Sequence, residues 1–245
     1  MTPVITVSGA TQAFGSRTIF RDVSFNVAQG EVFVILGGSG CGKSTLLRQM
    51  IGLLTPSAGE ITIGGFSVRS DVVAVRRQIG VMFQSGALLG SMTLLENVSL
   101  PLAVSTDLPE AACAEIARLK LALVGLGDAA SLLPSEISGG MLKRAAIARA
   151  LALDPPILML DEPSAGLDPV TSAGLDSLIL QLRDTLGTTC VVVTHELASI
   201  MAIADRCAML DAKAQGLIAL GSPQELRDHP GQPIVRAFFH RETLQ

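Results

Sequence analysis

The chain has 245 residues, of which 49% are hydrophobic and only 16% are charged, and its formal net charge is −4 at pH 7. A charged fraction this low excludes an intrinsically disordered chain, and the negative charge disfavours broad binding to a nucleic-acid backbone. The mean hydropathy of +0.50 is high, yet no segment approaches the roughly 18 to 20 consecutive apolar residues of a membrane-spanning helix.

The N-terminus and the cysteines both predict a cytosolic protein. The first ten residues, MTPVITVSGA, lack the basic and apolar regions of a secretory signal. The cysteines lie far apart along the chain without a CxxC pair, at Cys41, Cys113, Cys190 and Cys207. We therefore expect reduced thiols that act as small hydrophobic side chains.

Short β-branched segments alternate with Ala- and Leu-rich segments, a pattern typical of a parallel sheet with helical connections. Strands are predicted at residues 4–7, 31–36, 79–83, 157–161, 189–194 and 207–210. Several of these strands are continuously apolar, as expected when a sheet is covered on both faces. The predicted fold class is therefore α/β.

The strand pattern is absent from residues 91–152, where helices are predicted near 110–124 and 139–153. We interpret 91–152 as a helical subdomain inserted into a nucleotide-binding core formed by residues 1–90 and 153–228. Residues 229–245 include two prolines and are interpreted as a short C-terminal tail. The whole chain is then a single domain with one insert.

A glycine-rich segment directly follows the predicted strand 31–36. Its residues fit the pattern GxxxxGKS/T and precede a helical pattern over 46–54; they are Gly37, Gly38, Ser39, Gly40, Cys41, Gly42, Lys43, Ser44 and Thr45. The glycines let backbone N–H groups turn toward a phosphate, and the helix start adds a favourable dipole. We predict a nucleotide site in which Lys43 reaches the β- and γ-phosphates and Ser44 binds Mg²⁺.

Two adjacent carboxylates, Asp161 and Glu162, end the apolar strand 157–161. Asp161 is predicted to hold Mg²⁺ through a water molecule, and Glu162 to orient and polarise the attacking water. Apolar strands often end in acidic residues, so this prediction depends on the phosphate loop found earlier in the chain.

Ser138, Gly139, Gly140 and Met141 open a predicted helix that continues through Lys143 and Arg144. This segment resembles the signature motif of ATP-binding-cassette (ABC) ATPases. Other family motifs are matched in order along almost the whole chain, with Gln84 similar to the Q-loop, 164–168 to the D-loop with Asp168, and His195 to the switch histidine. Phe14 is at the position where the family stacks an aromatic ring on adenine; the alternative is an ordinary core phenylalanine.

The resemblance implies a P-loop NTPase core of the ABC type, with a mostly parallel sheet, an N-terminal antiparallel β portion and an α-helical insert. It also implies an ATPase in which two copies of the chain sandwich ATP and Mg²⁺. The phosphate loop of one copy would face Ser138, Gly139 and Gly140 of the other. Glu162, His195 and Gln84 would then be catalytic, with Gln84 also binding the metal and reporting the γ-phosphate to the insert.

Met141 stands where ABC ATPases commonly have Gln. Together with Lys143 and Arg144, it resembles the ATPases of maintenance-of-lipid-asymmetry phospholipid transporters, as do residues 81–89, 96–98, 101–102 and 163–169. This resemblance implies a peripheral subunit on the cytoplasmic face of the inner membrane. The subunit would drive the transport of phospholipid between the bacterial inner and outer membranes. Its implied partners are two permease subunits, a periplasmic lipid-binding subunit of the mammalian-cell-entry type and, in some complexes, a small STAS-domain protein.

Two alternatives remain open at this point. An ABC transporter for a small polar solute would use the same nucleotide chemistry. A non-transport ABC ATPase acting on DNA or ribosomes typically has tandem cassettes or a long coiled-coil insertion, and the sequence contains one cassette and no heptad tract. We expect no nucleic-acid partner.

Overall fold

The computed structural model describes residues 3–242, which form two sheets and a set of helices. The strands are β1 (Ile5–Phe14), β2 (Arg17–Val27), β3 (Val32–Gly37), β4 (Ala58–Ile63), β5 (Phe66–Ser67), β6 (Ile79–Met82), β7 (Ile157–Asp161), β8 (Thr189–Val193), β9 (Arg206–Asp211) and β10 (Gly216–Gly221). The α-helices are α1 (Lys43–Met50), α2 (Val72–Gln78), α3 (Leu94–Ser105), α4 (Glu110–Leu123), α5 (Gly139–Ala150), α6 (Pro169–Leu186), α7 (Leu197–Ile203), α8 (Pro223–Asp228) and α9 (Pro233–His240). Short 3-10 helices span Gly127–Ala129 and Pro134–Glu136.

The larger sheet has the strand order β10-β9-β3-β8-β7-β6. Neighbouring strands from β9 to β6 run parallel, and β10 pairs antiparallel with β9. Every residue of β3 and β8 is buried. Alternate side chains of β3 enter two separate hydrophobic clusters, Val34 on one face and Phe33 on the other. The α/β prediction is confirmed, and burial on both faces explains the continuous apolar segments.

The smaller sheet is antiparallel, with the order β2-β1-β4-β5. Its apolar side chains, including Ile5, Phe25 and Ile61, share one hydrophobic cluster with Phe33 of β3 and Leu46 of α1. This sheet is the predicted N-terminal antiparallel portion. It packs beside the phosphate-loop helix and continues the core on that side of the larger sheet.

The chain between β6 and β7 contains α3, α4, α5 and both 3-10 helices. Asn97 of α3 is fully buried, and its side-chain amide bonds to the backbone of Leu89, Met92 and Thr93. These bonds fix the loop that leaves β6, because a buried amide is costly unless its donors and acceptor are all paired. The interpretation of 91–152 as a separate insert stays a prediction.

The segment predicted as a tail folds into helix α9. Val235 and Phe239 are buried in the core, and the ring of His240 lies 3.0 Å from the carbonyl oxygen of Arg227. Pro233 does not prevent a helix here because it occupies the first turn, where its backbone nitrogen needs no hydrogen-bond partner. Residues 243–245, the end of the predicted tail, lie outside the described residues.

All four cysteines are buried as free thiols, and burial raises the pKa of Cys190 and of Cys207 to about 12. These thiols therefore behave as small hydrophobic side chains, as expected. Within residues 3–242, none of the helices combines the length and the apolar character needed to cross a bilayer.

Candidate active site

The carboxyl ends of four adjacent parallel strands meet at one edge of the larger sheet. The phosphate loop follows β3, His195 follows β8, Glu162 follows β7 and Gln84 follows β6. Because ligands of parallel α/β sheets bind beyond these strand ends, the topology collects the residues of four distant motifs at one place.

The phosphate loop closes tightly against the sheet. A side chain at Gly37 would place its Cβ 2.2 Å from the carbonyl oxygen of Leu210, and the φ of 144° also favours glycine. The Lys43 ammonium folds back over the loop, donating to the carbonyl oxygens of Gly37 at 2.8 Å and Gly38 at 3.2 Å. Helix α1 begins at Lys43, so its free N–H groups point toward the loop.

A cavity of about 520 Å³ opens between these strand ends. It is lined by Gly37, Gly38, Ser39, Gly40, Lys43, Ser44, Gln84, Glu162, His195 and Phe238. Thr45 lines a smaller pocket beside it, together with Ile19 and Gly42. Cys41 is buried in the hydrophobic core instead, since its side chain points away from the loop surface.

Glu162 and His195 are in direct contact within this cavity. The imidazole Nδ1 lies 2.9 Å and 3.0 Å from the two carboxylate oxygens of Glu162. The Glu162 backbone has a φ of 47°, unusual for a non-glycine residue, and its N–H donates to the carbonyl oxygen of Val193. The strained backbone is thus fixed to β8, which holds the carboxylate at the edge of the cavity.

Asp161 carries an orphaned acceptor next to this pair. Its Oδ1 is buried and has no hydrogen-bond partner, and burial, followed by the charge of Glu162, raises the pKa of Asp161. A cation beside that oxygen would offset both effects. The arrangement fits Mg²⁺, which is usually held by one or two carboxylates together with substrate phosphates and water.

The signature residues lie apart from the cavity. Ser138 caps α5, accepting from the N–H of Met141 at 3.3 Å, and both Ser138 and Gly139 are exposed. Gly140 packs on the start of α6, where a Cβ would lie 2.5 Å from the Thr171 side chain. Asp168 caps α6 through the N–H groups of Val170 and Thr171, and bonding to Thr171 lowers the pKa of Asp168.

Phe14 also lies outside the lining of the cavity. It ends β1, where it pairs with Arg17, and it is 53% exposed. The alternative of an ordinary core phenylalanine is therefore wrong, because core phenylalanines such as Phe20 are completely buried. Stacking of Phe14 on adenine stays a prediction.

Two residues at the site were not among the predicted site residues. Phe238 reaches the cavity from α9, far along the chain from the phosphate loop. Lys143 reaches the same edge from α5, donating to the backbone carbonyl of Gln84. No local pattern around Phe238 indicates its position, whereas Lys143 is a lysine on the inner face of a helix, which is a weak signal of a buried cation.

A model of the ABC transporter family matches residues 20–165. The chain is 44% identical over 229 residues to the intermembrane phospholipid transport system ATP-binding protein MlaF of Escherichia coli K12, covering 92% of this chain and 84% of that protein. It is 43% identical over 244 residues to a protein of Mycobacterium tuberculosis H37Rv named "Probable ribonucleotide transport ATP-binding protein mkl", covering 98% of this chain and 67% of that protein.

The fold is similar to that of a solved structure. That structure is the dimeric post-hydrolysis state of the ATP-binding cassette MJ0796 bound to ADP and phosphate. The TM-score is 0.79 with 30% sequence identity, and the match covers 89% of this chain and 98% of that one.

Proposed function

The chain belongs to the ABC transporter family and is an ATPase of the ATP-binding-cassette type, and we propose that it drives phospholipid transport between bacterial membranes. The observation that carries the ATPase chemistry is the single cavity shared by the phosphate loop, Glu162 and His195. The phospholipid substrate is supported by the similarity to MlaF, of which the chain covers 84%. The mkl relative, named for ribonucleotides, supports the second candidate, a small-solute transporter.

The residues of the cavity have separate roles in this proposal. Glu162 takes a proton from the attacking water, and His195 holds the carboxylate of Glu162 in place through the bonds of 2.9 and 3.0 Å. Lys43 leaves the carbonyl oxygens of its own loop and binds the β- and γ-phosphates. Ser44, Asp161 and Gln84 would hold Mg²⁺, which supplies positive charge to the phosphates when bound.

We infer that the complete site needs two copies of the chain. Ser138 and Gly139 are exposed and lie apart from their own phosphate-loop cavity, so they are free to face the cavity of a partner. The dimeric cassette with 30% identity supports this arrangement. The N-terminus of α5 would then direct its dipole at the γ-phosphate held by the other copy.

Further partners follow from the phospholipid proposal. We expect permease subunits that receive force from the helices between β6 and β7, a periplasmic lipid-binding subunit of the mammalian-cell-entry type, and in some complexes a STAS-domain protein. The chain would then be a peripheral subunit on the cytoplasmic face of the inner membrane.

Two further residues are proposed to contact the nucleotide. Asp168 would do so from the D-loop, and Phe14 from the adenine side.

The substrate is tested by purifying the tagged chain from gently solubilised membranes and identifying retained proteins and lipids by mass spectrometry. We expect permease subunits, a lipid-binding periplasmic protein and bound phospholipid. ATP-dependent phospholipid transfer by this complex, absent with Glu162→Gln, would complete the support. Recovery of a permease without lipid, with ATPase activity stimulated by ribonucleotides, would instead support the small-solute transporter.

The sandwich is tested by Ser138→Arg in a Glu162→Gln background, which prevents hydrolysis from reopening the dimer. We expect ATP-dependent dimers, measured by size-exclusion chromatography with light scattering, to disappear because a bulky cation blocks the signature surface. ATP binding by the monomer stays, since Ser138 lies outside its own cavity. Ser177→Arg, at an exposed position of α6, is the matched control. Full dimerisation of the Ser138→Arg protein would contradict the sandwich.

A further inference from the structure

Lys143 is a buried lysine of helix α5, the helix that begins at the signature residues. It links this helix to the edge of the larger sheet where the cavity of the same chain opens. It lies on α5, five residues after the exposed cap Ser138, and is only 7% exposed. Its Nζ donates to the carbonyl oxygen of Gln84 at 2.5 Å, with a longer contact of 3.5 Å to the carbonyl oxygen of Glu162. One ammonium therefore contacts the backbone of two residues whose side chains line the cavity.

The surroundings of this ammonium explain how a charge is tolerated there. Burial lowers the pKa of Lys143, and the negative charges of Asp161 and then Glu162 oppose that shift. A buried cation needs compensating charge and hydrogen bonds, and here the carbonyl oxygens supply the hydrogen bonds while the carboxylates supply nearby negative charge without a direct ion pair. An apolar side chain on this face of α5 would fill the space but would leave the Gln84 carbonyl without its donor.

The segment that Lys143 holds adopts an unusual backbone. Gly86 has a φ of 76° and Ala87 a φ of 51°, both in the left-handed region. Arg149, also on α5, donates to the carbonyl oxygens of Gly86 and Ala87. A loop in such a conformation keeps its shape only when neighbouring groups fix it, and here two cations of one helix do so.

We propose that Lys143 is a positioning residue for ATP hydrolysis, which acts through the backbone of Gln84 and Glu162 and not by touching the nucleotide. The proposal rests on the assignment of this cavity as the hydrolytic site. In this proposal α5 has two functions. Its N-terminus faces the ATP held by the partner copy, and Lys143 within it supports the cavity of its own chain. Removal of the ammonium should therefore impair the chemical step more than nucleotide binding.

The test compares Lys143→Met, Lys143→Arg and the wild type in steady-state ATP hydrolysis. The Met side chain keeps the apolar stem of Lys143 without its charge. We expect kcat to fall about 10- to 100-fold in Lys143→Met, because the catalytic groups are then misplaced. The KM for ATP should change less than about threefold. Arg keeps a buried donor and should restore at least part of kcat. Lys120→Met is the matched control, because the Lys120 ammonium pairs with the exposed carboxylate of Asp154.

A double-mutant cycle separates positioning from loss of fold. In the proposal, Lys143 affects kcat partly by positioning the side chain of Gln84, and Gln84→Ala removes that side chain. Lys143→Met should therefore reduce kcat less in the Gln84→Ala background than in the wild type. A wild-type kcat for Lys143→Met, or equal losses in both backgrounds, would overturn the proposal. An inactive wild type, or a fully active Glu162→Gln, would instead overturn the site itself.

Discussion

Replacing Glu162 with Gln will reduce ATP turnover by about 10²- to 10⁴-fold, the usual contribution of a general base, while ATP still binds. Gln has nearly the same shape, and its amide oxygen can still accept from His195, but it cannot take a proton from water. Phosphate release measures turnover, and a titration with a fluorescent ATP analogue measures affinity.

Glu115→Gln provides the matched control for this substitution, since Glu115 pairs with Arg118 on the surface of α4. That variant should keep the wild-type rate. If the Glu162→Gln protein also hydrolysed ATP at the wild-type rate, another group would have to be the base, and the contact between Glu162 and His195 would have a different purpose.

Replacing Lys43 with Ala will weaken nucleotide binding itself. The ammonium makes charge-assisted bonds that are each worth about 1.5–3 kcal/mol, so we expect Kd for ATP to rise about 10- to 100-fold. Because the same ammonium also donates to the carbonyl oxygens of Gly37 and Gly38, its loss removes two hydrogen bonds within the loop as well.

Equilibrium binding of a non-hydrolysable ATP analogue is the direct measurement for Lys43→Ala. Lys213→Ala is the matched control, because Lys213 is exposed in the turn between β9 and β10. An unchanged Kd for Lys43→Ala would contradict the assignment of residues 37–45 as the phosphate loop. Glu162→Gln and Lys43→Ala together distinguish the chemical step from the binding step.

The sequence predicts the central strands well because their environment leaves a simple pattern. Strand β7 has the predicted bounds, Ile157–Asp161, since a strand covered on both faces is a continuous apolar run. The strands predicted from the sequence do not include β2, although Val23, Phe25 and Val27 alternate with exposed residues. The register shifts in its pairing with β1, next to the positive φ of Asp22, interrupt that alternation.

The order of motifs along the chain predicts which side chains meet in the cavity, because parallel strands carry their following loops to one edge. The order of motifs cannot predict that Phe238 lines the cavity. The position of Phe238 depends on how α9 packs, and α9 follows β9, β10 and α8 in the chain. Nor does the order of motifs predict that Lys143 points to the carbonyl of Gln84. Contacts of this kind arise from tertiary packing between segments far apart in sequence, where no local spacing constrains them.

The strand order β9-β3-β8 has a consequence for how the protein is made. The central strand β3 leaves the ribosome early, but both of its neighbours, β8 and β9, are encoded near the end of the chain. At about 5–20 residues per second, β3 waits on the order of ten seconds for its first partner. During synthesis both edges of β3 therefore lack their paired strands, although the smaller sheet and α1, which cover one of its faces, are made much sooner, and ATP-site assembly is among the last folding events.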